Sequence, residues 1–398
     1  MTPQDPSAAK MTQSSVRSAN LALVLSRIPG EEGSVSRADI AAQLGMTRST
    51  VSRLIDDLIV GRLVREGETS AGGRGRPAVP LNLQRRSVVS LGLEVNVERL
   101  VATLVDLTGE VLVVRQRDLD VVALDPADAM GQLAELATEA LEGRPAGSRL
   151  TGATLALPGL LDRSGTRVLR APNLGWEGVE PSALWRLSVD GEPVALRSAN
   201  DIDCSALTVL RDDPQASFIY VTGEVGIGSA VAINGEILAG RSGWAAELGH
   251  VCVDPHGHLC GCGSIGCLES VAGARGLLRD SGQPGVASLI AAAEADEDLA
   301  LATIEGAADA LGIALSAALN LLDVENIRLG GHLGQLEPFM RDRLAAVLNQ
   351  RVLWARHSGI EVEVVERAPL RAAMGAGLAG LGQVIADPAT WIDELLAD

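Results

Sequence analysis

The segment TSAGGRGRPAVP, residues 69–80, divides this 398-residue chain, because three glycines and two prolines in twelve residues cannot continue a helix or a central strand. Residues 1–86, which close just beyond it, carry an excess of four positive charges. Residues 87–398 carry an excess of 22 negative charges, within a net charge of −18. Phosphate repels an acidic surface, but a basic head on an acidic body can meet nucleic acid with the head alone. A chain of this length with 47% hydrophobic residues supports two or three buried cores. No run reaches the roughly 18 uninterrupted apolar residues of a membrane span. The start, MTPQDPSAAKMTQ, lacks the charged-then-apolar layout of a secretory signal, so the expected location is cytoplasmic, with no membrane partner.

Within the head, Ser36-Arg37-Ala38-Asp39 has the form of a capping box and opens a helix with Ile40, Ala41 and Leu44 on one face. Gly45-Met46 predicts a sharp turn. Thr47 then caps a second helix whose Val51, Leu54, Ile55 and Leu58 recur at helical spacing, leaving Arg48, Ser49, Thr50, Ser52 and Arg53 outward. Helix, short turn and polar-faced helix make the helix-turn-helix pattern, whose second helix enters the major groove of double-stranded DNA. Residues 63–66 and 79–83 can pair as the strands of a wing around Gly73-Arg74-Gly75-Arg76-Pro77. The only bulk in that segment is arginine, which suits a narrow minor groove. The candidate DNA contacts are therefore Thr47, Arg48, Ser49, Thr50, Ser52, Arg53, Arg74 and Arg76. A protein-docking module of three small helices would account for the spacing but not for the arginine wing.

The body alternates strand and helix patterns, which makes it α/β. Val88 to Val114 reads as two apolar alternating runs about a hairpin at residues 106–110, 127–141 has helical spacing, and 150–157 reads as a buried strand ended by Pro158-Gly159. Further on, 218–221 and 229–233 are strand-like, 307–322 is an apolar helix, and 327–329 is a strand before Gly330-Gly331. No short tandem repeat is visible. Three of the five cysteines, Cys260, Cys262 and Cys267, lie within eight residues, and His250 stands ten residues before them. In a cytosolic chain such clustering points to metal rather than to disulfides. One imidazole with three thiolates suits tetrahedral Zn2+, and a full shell leaves no open position for catalysis. A structural zinc is expected, holding the loop that carries Glu247 and Glu269; the alternative is three buried free thiols. Cys204 and Cys252 read as core fillers.

Glu247-Leu248-Gly249-His250 followed by CGCGSIGCLE resembles the signature of the ROK family, which joins repressors, open reading frames and sugar kinases. The resemblance covers about Val88 to the C-terminus, and with the winged head the whole chain is similar to a ROK repressor. It implies an actin-like body behind a winged helix-turn-helix domain at 1–86: a first α/β lobe at 87–198, completed by a C-terminal helix at 372–398, and a second α/β lobe with the zinc site at 199–371. It also implies sugar contacts. Asn173, in Ala171-Pro172-Asn173-Leu174-Gly175-Trp176, would bond sugar hydroxyls. Asn200 and Asp201 would stand at the reactive hydroxyl, where kinases use the aspartate as base. Glu247, His250 and Glu269 would complete the ring, His250 reaching sugar with one nitrogen and zinc with the other. The family's Glu-Asn-Asp-Ala-Asn stretch is Ala199-Asn200-Asp201-Ile202-Asp203 here, which leaves the identity of the sugar open.

In the family's kinases the first phosphate loop reads Asp-x-Gly-Gly-Thr-Lys and the second Gly-Thr-Gly. The aligned residues here are Glu94-Val95-Asn96-Val97-Glu98-Arg99 and Glu224-Val225-Gly226. Phosphoryl transfer needs small, non-anionic loops around the phosphates. A carboxylate close to a triphosphate opposes binding by roughly 4 kcal/mol per close pair at an effective dielectric of 20. Asp201 would then remain as a sugar ligand. The expected protein is a sugar-responsive repressor of carbohydrate genes and not an enzyme: a homodimer or higher homo-oligomer that binds operator DNA and a monosaccharide or sugar derivative. Two other readings stay open. One is an active ATP-dependent sugar kinase with an appended DNA-binding domain; the other is an interaction module with a vestigial cleft.

Overall fold

Three helices begin the chain, α1 (Gln13–Leu25), α2 (Arg37–Leu44) and α3 (Arg48–Val60), in a computed structural model that describes residues 13–30, 35–67, 79–366 and 370–397. Short side chains set the last two. The Ser36 hydroxyl accepts from the Asp39 amide while the Asp39 carboxylate accepts from the Ser36 amide at 2.9 Å, closing the capping box. Gly45, at φ 63°, ends α2 in the left-handed conformation, and Thr47 Oγ1 accepts from the Thr50 amide at 3.2 Å to start α3. β1 (Val64–Glu66) and β2 (Leu81–Leu83) pair antiparallel as the base of a wing. Arg74 and Arg76 lie outside the described residues.

Beyond the wing come β3 (Val88–Val95), β4 (Arg99–Asp106) and β5 (Val111–Asp118), an antiparallel meander of three strands where the sequence suggests two runs. The extra turn falls at the polar break Asn96–Glu98. After α4 (Pro126–Leu141), β6 (Arg149–Leu157) joins β3 in parallel. A small antiparallel sheet follows, β7 (Leu160–Leu161), β8 (Val168–Ala171) and β9 (Trp176–Val179), before β10 (Leu196–Asn200) returns to β6. α5 (Asp201–Asp212) leads to a second meander, β11 (Phe218–Gly223), β12 (Ile227–Ile233) and β13 (Glu236–Ile237). α6 (Asp298–Leu322), β14 (Asn326–Gly330), α7 (Gly331–Arg351) and β15 (Glu361–Val364) complete the second lobe, both strands running parallel to β11. α6 starts nine residues earlier than the apolar spacing indicates. It is long and apolar enough to cross a membrane, but Ala307, Leu311 and Leu315 are fully buried in the second core.

The two five-stranded sheets share one order, β10-β6-β3-β4-β5 and β15-β14-β11-β12-β13. A repeated path needs the same alternation of apolar and polar positions, not the same residues, so no sequence repeat announces it.

The C-terminal segment is two helices rather than one. α8 (Arg371–Ala386) stops at Asp387, and α9 (Pro388–Ala397) starts on Pro388, which cannot donate to a continuing helix. α8 lies on the first sheet, where Thr103 Oγ1 donates to the Ala373 carbonyl at 3.1 Å. A Cβ on Gly375 would strike the Cys204 carbonyl, so α8 and α5 meet backbone to backbone. The far end of α8 and the first half of α9 reach the head: Leu381, Val384, Trp391 and Ile392 share one buried cluster with Leu21, Ile55 and Leu58. Each such side chain contributes about 1.5–3 kcal/mol by burial. The head's core therefore runs through the boundary near Arg86 and into the body.

Candidate functional site

On α3, Arg48, Ser49 and Arg53 are exposed, while Thr50 and Ser52 are half-buried. Thr47 is spent as the cap, its hydroxyl also lying 3.0 Å from Ser49 Oγ and 2.8 Å from Thr50 Oγ1. Arg37 is held by Asp56 at 2.7 Å and by Glu66 at 3.0 Å, and Arg17 by Asp57 at 3.0 Å. Arg48 and Arg53 make no ion pair among the described residues, which leaves both guanidinium groups available to phosphate or to a base edge.

The cysteine loop gathers its four donors. His250, Cys260, Cys262 and Cys267 place their ligand atoms within 4.8 Å of one another. Cys262 Sγ lies 3.7 Å from Cys267 Sγ, and Cys260 Sγ lies 3.8 Å from His250 Nδ1. A tetrahedral ion with sulfur at about 2.3 Å and nitrogen at about 2.0 Å separates its donors by about 3.5–3.8 Å, close to the Cys262–Cys267 and Cys260–His250 separations. Burial, and then the two neighbouring thiols, push Cys267 up to about 12. Three thiols and an imidazole this close could hold a metal ion. The loop they close is knitted by backbone bridges at Cys252–Cys267 and Leu259–Ile265.

Two equivalent turns face each other across the lobes: residues 96–98 between β3 and β4, and residues 224–226 between β11 and β12. Asn96 Nδ2 donates to Glu94 Oε1 and to Glu224 Oε2, each at 3.4 Å. Glu94 is only 2% exposed and pairs with Arg99 at 2.9 Å, while its Oε2 has no partner. Burial raises its pKa against the pull of Arg99. Asp201, the first residue of α5, is pushed up to about 7 by burial and then by Glu94 and Glu224. Asp203 is pushed up to about 6 by burial and then by Glu247.

The other predicted sugar residues divide into a group and two outliers. Glu247 senses the charges of both His250 and Glu269. Glu269 Oε2 accepts from the Ile227 amide at 3.2 Å, and its Oε1 accepts from the Cys260 thiol at 3.6 Å, which places the carboxylate against the cysteine loop. Asn200 is occupied by the backbone around it. Its Oδ1 caps α5 by accepting from the Ile202 and Asp203 amides at 2.8 and 3.1 Å, and its Nδ2 donates to the Gly159 carbonyl at 3.4 Å. Asn173 is exposed on the turn between β8 and β9 and makes no hydrogen bond to the rest among the described residues. The glycines shared with the kinase loops are explained by packing. A Cβ on Gly226 would lie 2.1 Å from Glu269 Oε2, and Gly331, at φ 58°, would collide with the Gly223 carbonyl. His332, 4% exposed, covers Gly223 and bonds the Ala272 carbonyl through Nε2 at 2.9 Å.

Three features escape the sequence pattern: the Glu94–Arg99 pair, Asp203 beside Glu247, and Trp244, whose indole crosses to the first lobe. For Trp244 a signal was present, an aromatic three residues before Glu247 in a chain with 2% aromatics. A cavity of about 640 Å³, lined by Val111, Thr208, Phe218, Arg328 and Arg371, lies at the other end of α5 from Asp201. Convergence of polar groups, not cavity size, marks the candidate cleft.

Residues 90–381 match the ROK family, and residues 16–75 match the MarR family. A putative xylose repressor from Caldicellulosiruptor sp. (strain Rt8B.4) is 24% identical over 400 residues, spanning 94% of this chain and 98% of its own length. The DNA-binding transcriptional repressor Mlc of Escherichia coli (strain K12) is 27% identical over 376 residues, spanning 88% of this chain and 90% of its own. Among solved structures, a ROK family transcriptional regulator described as a homologue of the E. coli Mlc protein aligns with a TM-score of 0.78 at 25% identity, over 95% of this chain and 99% of that one.

Proposed function

Because this chain belongs to the ROK family, we propose that it is a repressor whose body senses a monosaccharide, or a derivative of one, and whose winged head grips operator DNA. The observation that carries this reading is the bridge between the two turns where a triphosphate would lie. Arg99, at the place of the kinases' lysine, is engaged by buried Glu94, and Asn96 reaches across to Glu224. Positive charge that phosphate would need is engaged inside the chain, and Glu98 and Glu224 stand in the two turns where the kinase loops carry threonine and glycine. His332 over Gly223 adds bulk to the second turn. The same cleft keeps carboxylates and imidazole suited to sugar hydroxyls in Asp201, Glu247, His250 and Glu269, and the family resemblance adds Asn173 to them. In this reading Zn2+ on His250, Cys260, Cys262 and Cys267 is structural, and holds Glu247 and Glu269 in place.

A dimer would set two α3 helices, through Arg48, Ser49, Thr50, Ser52 and Arg53, in successive major grooves. A sugar alters DNA affinity only if it binds two arrangements of the chain unequally. α5 starts in the cleft at Asp201 and packs on α8, whose far end is built into the head's core, so a shift of α5 has a rigid route to α3. The test is to select DNA with the full-length protein from a random pool. Its affinity is then measured with D-xylose, D-glucose or N-acetyl-D-glucosamine present, and phosphorylation of each sugar by ATP is followed in parallel. At least one sugar is expected to change DNA affinity fivefold or more, without sugar phosphate. Sugar phosphate formation would install the kinase reading instead, and unchanged DNA affinity across the panel counts against sensing.

A further inference from the structure

After β13 the chain runs as a strap, residues 238–247, between the second sheet and the metal loop, and its last residue is Glu247. Midway stands Trp244, 46% exposed. Its indole N–H is engaged nonetheless: Nε1 donates to the Leu161 carbonyl at 2.7 Å. Leu161 ends β7 in the first lobe, and the paired strand β8 leads within two residues to Asn173. One hydrogen bond thus ties the segment that carries Glu247 to the small sheet that carries Asn173. It is much shorter than the Asn96–Glu224 contact, 3.4 Å, that also joins the lobes.

A second observation concerns the other end of the strap. Ala246 has φ 66°, the left-handed region that a residue with a Cβ seldom adopts. It is held there from the second lobe, because its carbonyl accepts from Ser229 Oγ, and Ser229 Oγ in turn accepts from the Leu248 amide at 3.1 Å. The strap is anchored to the second lobe beside Glu247 and to the first lobe at Trp244, with a strained residue between. Strain of this kind persists only where the surroundings over-determine it, and it gathers at ligand clamps.

We propose that Trp244 is a positioning residue for the effector: a latch that holds the two lobes in the arrangement where Glu247 and Asn173 address one ligand. This rests on the sugar-sensing reading above. Opening the bond lets the strap and the small sheet separate, and the cleft loses one wall without losing any proposed sugar ligand.

The experiment compares the full-length protein with W244F, which keeps a ring but no N–H, and W244A. Amide hydrogen exchange is measured without ligand, and affinities for D-xylose, D-glucose and N-acetyl-D-glucosamine are measured by calorimetry. W244F is expected to exchange faster at residues 159–168 and 240–248, with the head unchanged. It is also expected to bind the sugar that the wild type recognises three- to tenfold more weakly, the loss one hydrogen bond of this kind represents. W244F that exchanges and binds like the wild type overturns the proposal, whether or not W244A is impaired, since only the bulk of the ring would then matter. If the wild type binds none of the three sugars, exchange alone decides. Faster exchange at both segments in W244F keeps the latch while the sugar reading fails, and unchanged exchange removes the latch as well.

Discussion

The two lobes follow one path, a three-stranded meander and then two parallel strands, yet they use the first hairpin turn in opposite ways. In the first lobe the turn closes over an ion pair of buried Glu94 with half-buried Arg99, and its Asn96 reaches across to Glu224. In the second lobe the equivalent turn leaves Glu224 exposed and packs Gly226 against Glu269, two residues beyond Cys267. The lobes differ in what they are fastened to as well. The first is welded through α8 and α9 to the DNA-binding head; the second carries the cluster of cysteines and the strap with Glu247. A shared topology fixes where a turn lies, while its side chains decide whether it receives a phosphate, buries a pair or supports a ligand.

The contrast is broken most severely by taking away any cation that the four donors of the second lobe hold. Chelation of the full chain is expected to lower Tm by roughly 10 °C, because thiolates held this close lose their counter-charge. Calorimetry with elemental analysis checks it, and a metal-free protein of unchanged Tm would show that the cysteine loop needs no ion. In the first lobe, R99A strands Glu94 in the interior and should cost about 3–5 kcal/mol in urea unfolding. The double variant R99M with E94Q should recover most of that loss, and failure to recover would mean that Arg99 matters through packing instead.

Asp201, where the lobes meet, gives a smaller and pH-dependent effect. Its folded pKa of about 7 lies above the ordinary 3.8, so the folded chain holds that proton more tightly than the unfolded chain. The penalty of its charge is absent well below pH 3.8, grows as pH rises through about 7 and is constant beyond that. D201N should therefore gain on the order of 2 kcal/mol at pH 8 and nothing near pH 3, while abolishing the sugar response. Equal stability of the two proteins at every pH would remove the proposed carboxylate crowding. The smallest effect belongs to the strap: A246G relieves the left-handed strain and should stabilise by up to about 1 kcal/mol, read as a rise in the urea midpoint.

Much of the head was legible because its signals are local. The Ser36 capping box, the Gly45 turn and the buried stripe Val51, Leu54, Ile55 and Leu58 each span a few residues, and the structure contains all of them. The cysteine spacing likewise places its ligands within one short loop. The extra strand at β4 was hidden because Asn96–Glu98 is a brief polar break in an apolar stretch. The division of the C-terminal helix at Pro388 was marked by a proline that apolar spacing alone overrides. Asn200 reads as a hydroxyl ligand by resemblance, while its second task, capping α5, follows from a demand of the backbone at its position before the helix.

Residue types and short spacings by themselves determined the winged head, the alternating body, the four-donor loop and the negative charge in both phosphate turns. Tertiary structure alone decided that Glu94, Asp201 and Glu224 press on one another, that Leu381 and Trp391 finish the head's core, and that Trp244 meets Leu161. Caps, periodicities and loop ligands are settled within a turn or two of chain, where neighbours in sequence are neighbours in space. Charges and side chains a hundred residues apart meet only after two sheets and two helices have packed, and their energies depend on the desolvation that this packing creates.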